Sequence, residues 1–241
     1  MEANRPAVLY DATGRRRSPI TLPEYRRGQR PANYGKRFPG EVYEPAEVLQ
    51  LLSAIPSTST GIRDRALLAL LWRTGLRIHE ALNLREIDLH ESTGYVRVRR
   101  SKARRGRDVA VFGSSESSTW GWDQLRPWLE RRESLGIDRA APLFCVVQGP
   151  TRSRRVLESH IRTALKRYAD AAELRGRVHL HGFRHTLSAE LFRGGVSLVF
   201  LQRQLGHSSL AVTQQYLESI GAADVMDALA AYQPTWTSKA A

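Results

Sequence analysis

HGFRHTLSAELFRGGVSLVFLQRQLGHSSLAVTQQY, residues 181 to 216, holds most of the information about both fold and chemistry. His181 to Arg193 reads as a helix closed by Gly194 and Gly195, because glycine enters the left-handed conformation that ends a helix at little steric cost. Ser197 then caps a second helix to Leu205, which Gly206 stops; Ser209 to Leu217 and Ala223 to Ala231 read as two more. Upstream, Arg155 to Glu173 carries Leu157, Ile161, Leu165 and Tyr168 on one helical stripe, and Trp120 to Arg132 is a further helix. Glu44 to Ile55 opens the folded region, with Pro45 suited to a first helical position and Val48, Leu52 and Ile55 on one face. After the Pro/Ser/Thr-rich Pro56 to Thr60, the stretch Ile62 to Arg73 is apolar nearly all round, as in a helix buried in a core, with Gly75 placed to end it; a short helix from Arg77 to Asn83 follows. Gly94 to Arg100 alternates and Arg107 to Phe112 has strand composition, so the two predict a hairpin. The expected fold is mainly α with a small antiparallel β-sheet.

Charge divides the chain further. Among 241 residues, 37 Lys and Arg face 24 Asp and Glu, a net +13 that calls for an acidic partner. Residues 1 to 40 contribute nine basic and three acidic side chains and residues 97 to 107 seven basic and none acidic, while the rest balance. The first patch, with Pro6, Pro19, Pro23, Pro31 and Pro39 and little apolar periodicity, reads as an extended basic arm containing Arg15, Arg16, Arg17, Arg26 and Arg27. The second lies on the hairpin and offers Arg97, Arg99, Arg104, Arg105 and Arg107 to an acidic partner such as nucleic acid. The longest apolar run, Ala66 to Trp72, is far shorter than the roughly 20 residues of a membrane span, and the N-terminus has no signal-peptide core, so a soluble, cytoplasmic protein without membrane contact is expected. Cys145, the only cysteine, beside Phe144, Val146 and Val147, reads as a buried thiol in a strand. Internal repeats and nucleotide-binding glycine loops are not found in the sequence.

Four segments carry chemistry: TGLRIHEAL (74–82), SKARRGRDVAV (101–111), HGFRHT (181–186) and LGHSSLAVTQQY (205–216). Singly, Arg77, Lys102 or Tyr216 would be an ordinary ion-paired, solvated or packed side chain. In this order and spacing, over roughly Glu44 to Leu217, they resemble the tyrosine recombinases, also called phage-type integrases. The resemblance makes Arg77 and Arg184 the two catalytic arginines, Lys102 the hairpin lysine, His181 and His207 the histidines and Tyr216 the nucleophile, with Glu80 as the carboxylate orienting Arg77 and His185 in support. Departures are Leu180 where proline is frequent, Phe183 for a common leucine, and His79 for a small polar residue; none removes a catalytic group.

Each assignment has a physical reason. Two guanidiniums can donate paired hydrogen bonds to the charge spread over a phosphoryl centre under displacement. His181 and Arg184, three apart, address one phosphate from one helical face. Tyr216, with an ordinary pKa near ~10, must lose a proton, for which His181 is the preferred acceptor. The leaving 5′ oxygen needs a proton, for which Lys102 resembles the family's general acid, and the resemblance leaves His207 as a hydrogen-bond donor to the phosphate. His181 and His185 have the i, i+4 spacing of metal ligands, but Arg184 lies between them and neither a third ligand nor an acidic base is evident, so metal and other cofactors are not expected.

The expected activity is site-specific strand exchange through a 3′-phosphotyrosyl intermediate, serving integration, excision, inversion or resolution. A type IB topoisomerase-like relaxation activity and a non-catalytic DNA-binding regulator are the alternatives. The resemblance also implies a tetramer on two double-stranded DNA sites, with accessory DNA-bending proteins as further partners. Val225, Met226 and Leu229 would either dock on a neighbouring subunit or pack on their own core. The expected organisation is an arm over 1–40, a catalytic domain over 41–235 and a tail over 236–241, the arm partly replacing the helical domain of about 80 to 100 residues that usually precedes this fold.

Overall fold

The computed structural model describes residues 42–99, 106–114 and 116–206. The arm, the tail and the helices expected at Ser209 to Leu217 and Ala223 to Ala231 lie outside the described residues.

Helix α1, Pro45–Ser53, begins where the Glu47 carboxylate accepts from the Glu44 backbone N–H at 2.9 Å, with proline in the first turn; Val48, Leu52 and Ile55 are all buried as their spacing requires. Helix α2, Ser59–Thr74, starts three residues earlier than its apolar run, because the Thr58 hydroxyl accepts from the Gly61 N–H and caps it. It ends at Gly75 in the left-handed conformation. Every residue from Ala66 to Thr74 is buried, and α2 is the central helix of the core. Helix α3, Ile78–Ala81, is one turn.

The hairpin forms as expected, from β2 (Tyr95–Val98) and β3 (Arg107–Ala110), with Val96, Val98 and Val109 facing the core. A third strand, β1 (Leu89–His90), pairs antiparallel with β2 to give the order β1-β2-β3; at two residues it is too short to show alternation.

Three expectations are corrected. The helix expected over Trp120 to Arg132 is two, α4 (Trp120–Asp123) and α5 (Arg126–Ser134), because Pro127 has no N–H to continue the first and suits the opening turn of the second. Leu157 is 56% exposed: it stands in extended backbone just before α6 (Glu158–Ala171), whose buried stripe is Ile161, Ala164, Leu165 and Tyr168. Cys145 is fully buried, but in a loop with a single bridge to Arg155 rather than in a strand.

Helices α7 (Gly182–Arg193) and α8 (Leu198–Leu205) close the described chain, α7 against α2 and α8 against α7 and β3. The fold is mainly helical with a small antiparallel sheet, and the ends of α2, α8 and β3 meet at the N-terminal turn of α7.

Candidate active site

The two arginine-bearing segments are joined directly. Arg184, in the first turn of α7, is 1% exposed, and its two terminal nitrogens donate to the carbonyls of Gly75 (2.5 Å) and Leu205 (2.7 Å). A cation is thereby fixed where α2 ends, α7 begins and α8 ends. Two residues beyond Gly75, Arg77 is half-buried, and its backbone N–H donates to Glu80 at 3.0 Å.

Glu80 has a stronger partner than the expected one. Its side chain lies 3.8 Å from the Arg77 guanidinium, whereas both terminal nitrogens of Arg107 donate to it, at 2.8 and 2.9 Å. Burial opposes ionisation of this carboxyl, but the Arg107 hydrogen bonds, the Arg77 N–H and the two positive charges outweigh it and hold its pKa at about 2.

Arg107 is therefore a correction. Its side chain is only 13% exposed and is spent inside the protein, not offered to DNA. The basic stretch is also less bare than its sequence suggests, since Arg97 pairs with Asp108 across the β2–β3 register and Arg99 with Asp88. These carboxylates come from outside the 97–107 run. Arg97 and Arg99 nevertheless remain about half exposed.

His181 stands at the N-cap of α7, and its ring meets that of His185 edge-on with centroids 4.8 Å apart. His181 has an exposed surface, yet desolvation, then the charges of Arg184, His179 and Arg77, lower its pKa to about 4; burial, then His181, His179 and Arg184, do the same for the more enclosed His185. At neutral pH both are uncharged, and a neutral His181 is able to accept a proton. Among the described residues no group of three or more His, Cys, Asp and Glu side chains is arranged to hold a metal ion.

The sign of the resulting pH dependence follows. The unfolded chain protonates these histidines below about 6.5 and the folded chain only near 4, so their contribution to stability is present above pH 6.5 and is lost as pH falls toward 4. Glu80, lowered from 4.5 to about 2, contributes above pH 4.5 and loses that contribution as pH falls through 2. Urea midpoints should therefore decline in two stages, and His185→Gln should remove much of the upper one. A midpoint unchanged from pH 7 to 5 would contradict this.

One supporting residue carries no sequence signal. Tyr43 lies across the start of α7: its hydroxyl accepts from the His179 N–H at 2.8 Å and donates to the His179 carbonyl at 3.0 Å, while its backbone N–H donates to the Thr186 hydroxyl. Its ring packs edge-on against Phe183. Arg77, Glu80, His181, Arg184 and His185 are thus brought together, joined by Arg107 and Tyr43. Lys102, His207, Tyr216, Arg104, Arg105, Arg15, Arg16 and Arg17 lie outside the described residues.

Residues 41–221 match the Phage integrase family. The chain belongs to that family. Among its relatives are tyrosine recombinase XerC of Rhodospirillum centenum, 34% identical over 73% of this chain and 48% of the relative, and tyrosine recombinase XerD of Xanthomonas axonopodis pv. citri, 34% identical over 70% of this chain and 55% of the relative. This integrase-family chain spans about half the length of those curated relatives. Its fold is that of solved recombinases: XerA recombinase superimposes with a TM-score of 0.67 at 24% identity, covering 88% of this chain and 69% of that one. A lambda integrase fragment, crystallised as a dimer on a core site, gives 0.58 at 20% identity over 78% and 62% of the two chains. Among the described residues no helix is long and apolar enough to cross a membrane.

Proposed function

We propose that this integrase-family chain is a tyrosine-type site-specific DNA recombinase. The observation that supports the reading is the junction at Arg184, where the first turn of α7, the turn bearing Arg77, the neutral His181 and the end of α8 meet. In the reaction, the Tyr216 oxygen attacks the scissile phosphorus and its proton passes to His181. The bond from phosphorus to the 5′ oxygen breaks, and that oxygen takes a proton from Lys102. A 3′-phosphotyrosyl link and a free 5′ hydroxyl result, and a 5′ hydroxyl from another duplex reverses the steps. Arg77 and His207 donate to the non-bridging oxygens, whose charge grows in the transition state, and Arg184, buried beneath them on the Gly75 and Leu205 carbonyls, adds its positive charge.

Support for assembly on DNA comes from relatives of the same fold: XerH has been solved with difH substrate in a post-cleavage complex, and lambda integrase as a tetramer on a Holliday junction. The corresponding partner here is double-stranded DNA, bound by four protomers on two sites, with accessory DNA-bending proteins assisting. Arg97, Arg99, Arg104 and Arg105 follow the backbone beside the cut, and the arm containing Arg15, Arg16 and Arg17 adds phosphate contacts, residues 41–235 forming the catalytic domain. A recombinase acting on double-stranded DNA in the cell would work in the cytoplasm, at the nucleoid.

The test is trapping on nicked duplexes with a randomised core. Wild-type protein should give a denaturant-resistant, protease-sensitive DNA adduct, and Tyr216→Phe should give none while still shifting DNA in a gel. No wild-type adduct, or an adduct that survives Tyr216→Phe, overturns the reading. Relaxation of a plasmid lacking the trapped sequence would instead indicate the topoisomerase alternative, which the family relationship does not favour.

A further inference from the structure

The hydrogen bonds around Arg107 close into a ring. The Arg77 N–H and Arg107 both donate to Glu80; Arg107 also reaches the Leu205 carbonyl at 3.4 Å; Arg184 holds that carbonyl and the carbonyl of Gly75, two residues from Arg77. Gly206, in the left-handed conformation, lies against the Arg107 guanidinium, where a Cβ would come within 2.7 Å of Cζ and Nε. Any larger residue there would push the guanidinium off Glu80. Arg107 thus ties the exit of the hairpin, five residues after Lys102, to the residue preceding His207.

Gln204 makes a second tie. Strand β3 is an edge, and because the Val111 N–H faces β2 through the Gly94 carbonyl, the polar groups of Ala110 face the other way. The Gln204 amide meets both, accepting from the Ala110 N–H at 3.1 Å and donating to its carbonyl at 2.8 Å, as a neighbouring strand would. Its remaining N–H donates to the Thr74 carbonyl at 3.0 Å, one of the last-turn carbonyls that α2 cannot satisfy itself. One side chain thereby pins the end of α8 to the sheet edge and to the helix that leads into Arg77.

We propose that Arg107 and Gln204 are positioning residues for strand cleavage: they fix the Leu205–Gly206 backbone, and so the start of the segment carrying His207 and Tyr216, against the Arg77 turn and the hairpin. Neither touches the scissile phosphate; both act through the groups they hold. The inference rests on the recombinase reading, so wild-type adduct formation is measured first, and its absence would remove that reading and this one together. Given a wild-type adduct, the duplex that traps it becomes the probe.

Three variants decide the matter: Gln204→Met, which keeps length but removes all three hydrogen bonds; Arg107→Met; and the double variant Glu80→Gln/Arg107→Met, which removes the buried carboxylate that Arg107→Met leaves without its bidentate partner. Single-turnover adduct formation at saturating DNA should fall about 10- to 100-fold in each, the scale expected when reacting groups are misplaced by about 1 Å. Affinity and its salt dependence should match wild type. The double variant should regain most of the melting temperature lost by Arg107→Met without regaining rate. A shallower salt slope in Arg107→Met would make Arg107 a DNA contact and overturn its positioning role. A rate that recovers with stability, or wild-type rates in Gln204→Met, would overturn the proposal as well.

Discussion

Arg184→Lys is expected to reduce adduct formation by at least about 100-fold and to lower stability by about 2 to 3 kcal/mol. The guanidinium spans two carbonyls on separate elements, Gly75 at the end of α2 and Leu205 at the end of α8, from a position that is 1% exposed. An ammonium keeps the charge but lacks the fork, so one carbonyl is left in the interior without its donor. The stability figure is the cost of that orphan; the rate figure reflects movement of the cation itself. Stability is read from urea unfolding and rate from single-turnover trapping. Leu165→Ala, a cavity on α6 costing about 2 to 5 kcal/mol, separates the two effects: it should destabilise as much or more, yet leave the cleavage rate of the folded fraction near wild type. Equal rate losses in both variants would show that Arg184 matters only through global stability.

The parts of the fold legible in the sequence are those whose signals are local. Pro45, Gly75, Ser197 and Gly206 mark helix ends within a residue or two of where they fall, and the apolar run Ala66 to Trp72 identifies the core helix because a helix buried on all sides has no polar face. The break between α4 and α5 was also written locally, at Pro127, but the apolar spacing across Trp122, Leu125 and Trp128 runs through it and masks it. What the sequence hides is pairing at a distance. Arg107 meets Glu80 from 27 positions away and Tyr43 meets His179 from 136, and no periodicity records either contact. Hence Arg77, Glu80, His181, Arg184 and His185 could be named as candidates from their motifs, whereas the inward turn of one arginine in a run of seven basic residues could not be read. A charge run tells how much positive charge is present; which members point outward depends on carboxylates that the fold brings from elsewhere.

Tyr43 makes the second large effect predictable. Gly182→Ala should destabilise the chain by about 2 to 4 kcal/mol, although alanine is the better helix former by about 1 kcal/mol. A Cβ on Gly182 would lie 2.1 Å from the Tyr43 hydroxyl oxygen and 2.2 Å from Cζ, well inside contact distance. The ring cannot yield cheaply: its hydroxyl holds both backbone groups of His179, its edge packs on Phe183, and the neighbouring backbone is tied to Thr186. Expelling it gives up two hydrogen bonds and an aromatic contact together worth about 2 to 4 kcal/mol, which exceeds the helical gain. The partner variant fixes the cause. In a Tyr43→Ala background the obstacle is gone, so Gly182→Ala should become neutral or stabilise by up to about 1 kcal/mol in urea unfolding, a reversal of sign. Equal losses in the two backgrounds would mean that Gly182 is required for some reason other than the ring above it.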